Sequence, residues 1–240
     1  ATLGRHHRDT FGYILKETNR ANGMVPDNTR QGAHASIPAI GFALTALTIG
    51  VERGFLTRAE AIERTLTTLR FLRESEQSEA PDATGFRGFY YHFLHMDSGR
   101  RAWECELSTI DSTFLLVGAL TAGAYFDGDT ADEREIRRLA EELFNRADWE
   151  WALNGGQTVS MGWKPESGFL PYRWEGYNEA LILYVLGLAS PTHTIPPSSY
   201  EAQTRTYRWR SYYGYDFLFG GTTYSHKLSH LVCNFRAIKE

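Results

Sequence analysis

Apolar residues recur three and four positions apart through much of the chain, and that period predicts a run of helices. Phe11, Ile14 and Leu15 give the first, over 9–18. Ser36 opens a second that runs to Arg53, with Pro38 in its tolerated first turn and Gly54 closing it. Thr57 begins a third: TRAE has capping-box spacing, and Ile62, Leu66, Leu69, Phe71 and Leu72 follow on one face. Further helices are expected over 108–126, 130–154, 177–188, 199–207 and 224–238. Between them lie polar loops at 19–33 and 75–85, and an aromatic segment, GFRGFYYHFLHMDSGRR (85–101), that reads as a hairpin turned by DSG.

The helices alternate in character. The second, fourth and sixth are rich in Gly, Ala and Leu and nearly apolar throughout, whereas the third and fifth carry one charged face. An inner layer buried by an outer one would produce that alternation. Helical hairpins joined by long aromatic loops point, by analogy of architecture, to an all-α fold of the α/α-toroid type in one domain over residues 1–240.

Composition narrows the function. With 42% apolar residues the 240-residue chain can bury a full core. A net charge of −4 supplies no basic footprint for nucleic acid. Aromatics reach 14% and cluster. Cys105 and Cys233 stand far apart without a CxxC or Cys/His spacing, so two buried thiols are expected ahead of a disulfide. No apolar run approaches the ~18 residues of a membrane span. The chain starts at Ala1 with no charged-then-apolar leader, which fits either a removed signal peptide or a trimmed chain; a periplasmic or secreted location is the expectation.

Residues 163–181, WKPESGFLPYRWEGYNEAL, concentrate the candidate chemistry. Trp and Tyr faces stack on pyranose rings, Arg and Asn bond hydroxyls, and a carboxylic acid at the glycosidic oxygen can break the bond. Glu179, at the start of the sixth helix, is the expected acid, with Arg173, Trp174, Tyr177 and Asn178 around it. A glutamate that merely complements a helix dipole is the plainer alternative. In ELSTIDSTFLL, Asp111 follows Ser108 at cap spacing, and Glu106 with Asp111 brackets the mouth of a buried helix. Glycosidic cleavage needs two such carboxylates on one cleft. TTYSHKLSHL places His226 and His230 at i, i+4; without a third ligand they read as sugar contacts or cleft floor, not as a metal site. YRWRSYYGYDFLFGG (207–221) adds further aromatics with Arg208, Arg210 and Asp216, loop packing accounting for part of these side chains, and no phosphate loop or GxSxG elbow is present.

Five ordered blocks carry a resemblance: IGFALTALTIGVERGFLTRAEA, GFYYHFLHMDSGRR, ELSTIDSTFLLVGALTAGAYF, WEGYNEALILYVLGLASPTHTIP and YSHKLSHLVCNFRAI. They resemble the glucoamylase-like domain family, which includes bacterial endo-β-1,2-glucanases and the transglycosylating domain of cyclic β-1,2-glucan synthases. The resemblance implies an (α/α)6 toroid acting on β-linked glucan, with no metal or organic cofactor. It places the family's acid on Glu179 and the opposing carboxylate on Asp111, with Arg173, Trp174, Tyr177 and Asn178 in the cleft loop and His226 and His230 in the HxxSH element. Two departures stand out. The chain stops at AIKE, so its eight expected helices fall short of a ring of twelve, and Val232 and Asn234 stand where relatives carry an aromatic and Asp. An incomplete C-terminal side would expose inner-helix faces and favour a homo-oligomer. A glucan-binding module, or an assembly piece of a larger synthase, is the alternative to an enzyme.

Overall fold

The structure, a computed structural model, describes residues 2–231. The expected helix over 224–238 falls partly outside them, as do Val232, Cys233 and Asn234. The chain divides into two compact units, Ala1–Ala147 and Asp148–Glu240.

The first unit holds α1 (Thr2–Glu17), α2 (Ile37–Glu52), α3 (Arg58–Glu74), α4 (Thr109–Tyr125) and α5 (Ala131–Arg146). Apolar α2 packs on apolar α4, and two glycines set how closely. A Cβ on Gly41 would lie 2.2 Å from the Phe114 carbonyl oxygen, and one on Gly118 would lie 2.1 Å from that of Gly41. The backbones therefore meet where both side chains are absent, which is why the sequence tolerates glycine inside two helices despite its propensity cost of about 1 kcal/mol. Charged α3 and α5 line up through Arg70–Glu135 and Arg73–Glu142 ion pairs. Beneath them, Arg146 donates to the Leu72 carbonyl (3.1 Å) and to the buried Tyr90 hydroxyl, satisfying the end of α3.

Capping follows the residues expected to provide it. Thr57 and Glu60 form both halves of a capping box on α3, and Ser108 accepts from the Asp111 amide on α4. Ser36 occupies the N-cap of α2 with extended φ/ψ, although its hydroxyl makes no cap bond. The aromatic segment differs from the expectation in one respect. DSG does turn the chain between Leu94 and Arg101, which form a bridge. Phe89–Tyr91, however, returns on Gly85–Phe86 through Arg87 and Gly88, both at positive φ, and then pairs with Leu107–Ser108.

The second unit holds α6 (Trp149–Ala152), α7 (Leu181–Ala189), α8 (Pro197–Thr204) and α9 (Thr223–Leu228). The helix expected over 130–154 is thus two, because α5 ends at Arg146 and Asp148 caps a new turn by accepting from the Trp151 amide. The helix expected over 177–188 begins only at Leu181, and that over 199–207 is displaced to Pro197–Thr204. Residues 207–221, expected as an aromatic loop, form an exposed hairpin, Trp209–Tyr212 on Tyr215–Leu218, turned by Tyr213 and Gly214 at positive φ. The core of this unit centres on Trp149 and Tyr184, both fully buried.

Candidate active site

Asp111 stands in the first turn of α4, where the Ser108 cap fixes it: the Ser108 hydroxyl donates to Asp111 Oδ2 at 2.6 Å. Glu106 precedes that cap on the strand side. Facing both is His92, a residue the sequence reading passed over. Its Nδ1 lies 2.9 Å from Glu106 Oε1 and 3.4 Å from Asp111 Oδ2. Strand geometry makes the meeting inevitable, since the His92 amide donates to the Glu106 carbonyl (3.0 Å) and its carbonyl accepts from Ile37 at the head of α2 (3.1 Å). Burial works against the charged imidazole, but the hydrogen bond it donates to Glu106 and the nearby charges of Asp111, Glu106 and Asp27 outweigh it and raise the pKa above the ordinary value of 6.5. Three ligand-capable atoms of His92, Glu106 and Asp111 lie within 4.8 Å of one another, the set among the described residues that could converge on a metal ion.

Glu179 sits half-buried in the turn just ahead of α7, not in the first helical turn as expected, and the first turn of α7 carries no acid. Its neighbour Asn178 makes the turn: Oδ1 accepts from the Ala180 amide (2.9 Å) and Nδ2 donates to the Glu175 carbonyl (3.1 Å). Arg173 is also committed to backbone, donating to the Leu153 carbonyl (2.9 Å) and to that of Thr158. The Trp174 carbonyl accepts from the buried Tyr184 hydroxyl at 2.7 Å, which ties the loop to α7 from below. Tyr177 turns toward Tyr207 (5.7 Å, edge-on) and His226 (5.0 Å between centroids). Burial raises the Tyr177 hydroxyl pKa and pushes that of Tyr207 up to about 12, so both stay protonated donors at neutral pH.

The two histidines do not share one helical face as expected. His226 lies on α9, while His230 falls in a 3-10 turn over Ser229–Leu231. A cavity of about 410 Å³ between α1 and α2, lined by Phe11, Ile14, Ala46 and Ile49 among others, includes no carboxylate in its lining and is unsuited to acid–base work.

The helical fold has counterparts among known proteins. Residues 171–240 match the family model "Glycoamylase: Putative glucoamylase". An exo-β-1,2-glucooligosaccharide sophorohydrolase of Parabacteroides distasonis is 28% identical over 200 residues, covering 79% of this chain and 26% of that protein. A Bacteroides uniformis crystal structure with the same glucoamylase name superposes with a TM-score of 0.81 at 28% identity, over 90% of this chain and 53% of that one. A β-1,2-glucanase structure from Parabacteroides distasonis has the same fold, with a TM-score of 0.81 at 22% identity, covering 91% of this chain and 34% of its own.

These matches bear out the resemblance to the glucoamylase-like family of bacterial β-1,2-glucanases, and with it the helical fold class. The chain spans only part of each relative's length.

Proposed function

We propose that this chain is part of a carbohydrate-active enzyme that cleaves or transfers β-glucan, β-1,2-linked, by carboxylate acid–base catalysis. The observation that carries the reading is the convergence of Asp111 and Glu106 on His92 at the capped head of a buried helix. A carboxylate so placed keeps one geometry and a defined proton environment, as glycosidic chemistry requires. In this reading Glu179 protonates the leaving oxygen, and Asp111 acts on the water or the developing ring charge. Trp174 and Tyr177 offer ring faces to the sugar, while Arg173 and Asn178 hold the loop that carries them. The Parabacteroides relative's sophorohydrolase name supports the linkage. Self-association through the exposed Phe42 and Ile49 of α2 belongs to the same proposal.

Incubation with linear β-1,2-glucan, β-1,3-glucan and starch tests it. Shortened products from the β-1,2 chain alone are expected. Cleavage of starch alone would overturn the linkage, and binding without cleavage would make the chain a glucan-binding module. Apparent mass in solution tests self-association; a monodisperse monomer would contradict it.

A further inference from the structure

Residues 102–105 form a turn whose two central residues, Trp103 and Glu104, both have positive φ (56° and 51°). The Cys105 amide closes it on the Ala102 carbonyl at 3.1 Å. Such mirror-image turns ordinarily use Asn and Gly, because a Cβ is strained there. Here the strained position holds the largest side chain available, and Trp103 is 67% exposed. Strain of this kind persists only where the surroundings over-determine it. They do so here: the Ala102 amide donates to the Phe93 carbonyl (3.0 Å), and the buried Arg101 side chain donates to the Cys105 carbonyl (2.7 Å).

Rings connect this tryptophan to the acidic cluster. Trp103 meets Phe93 edge-on at 5.3 Å, and Phe93 stacks on His92 at 4.1 Å. On its other side Trp103 rests against His34 at 4.1 Å. The row therefore starts at an exposed indole and ends at the imidazole that bonds Glu106 and Asp111. An indole held out at a conformational cost, two rings from a carboxylate pair, is built to meet a flat apolar ligand face. Pyranose rings present such a face.

We propose that Trp103 is a stacking platform for one glucose unit of the glucan, a binding subsite next to the Asp111 cluster. The inference rests on the glucan reading above and adds a residue to it. The strained turn is the means of presentation, and its removal separates binding from folding.

Calorimetry of the full chain with linear β-1,2-glucan, below the melting temperature of every variant, tests the subsite. Trp103→Gly suits the backbone better and is expected to melt no lower than wild type, yet to bind glucan about tenfold more weakly. Acrylamide quenching gives a second reading: glucan is expected to shield part of the wild-type tryptophan fluorescence, and Trp103→Phe to reduce that shielded part, leaving only what Trp174 contributes. If wild type binds and Trp103→Gly binds equally well, or the shielded fraction is undiminished in Trp103→Phe, the subsite is overturned while the glucan reading stands. If wild type binds no glucan, both fall together.

Discussion

Asp111 and Glu179 are held in opposite ways. Around Asp111 the side chains bond one another: Ser108, His92 and Glu106 converge while the backbone is taken up by helix and strand. Around Glu179 two of the polar side chains are spent on backbone, Arg173 on two carbonyls and Asn178 on an amide and a carbonyl. Conspicuous chemistry in a sequence thus divides into side chains that bond one another and side chains that brace backbone, and only geometry separates them. The quieter segment, ELSTID, brings the tighter charged cluster.

The largest expected effect tests the side-chain cluster. Asp111→Asn keeps the size of the side chain and is expected to lower turnover on β-1,2-glucan by about 10²–10⁴-fold, the usual worth of a positioned acid or base. Initial rates on the intact chain measure it, and a loss under tenfold would leave Asp111 a mere cap.

On the bracing side, Arg173→Ala leaves two loop carbonyls without their charged donor. It is expected to destabilise by about 1.5–3 kcal/mol, read by denaturant unfolding. Unchanged stability would show that the guanidinium is free for substrate.

Scaffold rigidity under the cluster is sharpened by Gly118→Ala. A methyl forced to 2.1 Å from the Gly41 carbonyl oxygen must push α2 from α4, and a loss of about 1–3 kcal/mol is expected. Circular-dichroism melting checks it, and a neutral result would mean that the helices can separate cheaply.

The smallest effect concerns pH. The His92 pKa is raised in the fold, so its charged form stabilises the protein below the ordinary imidazole value, and that contribution is lost as pH rises through the folded value. The stability difference between wild type and His92→Gln should therefore be greatest on the acid side of about pH 6.5 and shrink above it. A difference that grows with pH would show that the imidazole is held neutral instead.

How much of this was legible follows from how local each signal is. The α3 box from Thr57 to Glu60 and the Ser108 cap on Asp111 span three residues, and the sequence states them outright. The break at Ala147 was hidden because Trp149 and Trp151 continue an apolar pattern across it. Glu179 was placed on a helix because the apolar run after it reads back to Tyr177, whereas Asn178 Oδ1 accepts from the Ala180 amide and turns the chain ahead of α7. His92 meets Glu106 only through strand pairing, and nothing beside it in YYHFL announces a partner. The 209–218 hairpin escaped notice because Tyr213, not Asn or Asp, precedes the turn glycine. Trp103 was likewise invisible, since φ is not written in a residue name.

The account depends most on Glu179 as the proton donor. Measuring both glucan binding and product release for the full chain and its Glu179→Gln variant tests this directly. The account predicts that the variant binds β-1,2-glucan as wild type does and releases no shortened product above background. A variant that still cleaves at the wild-type rate would contradict it.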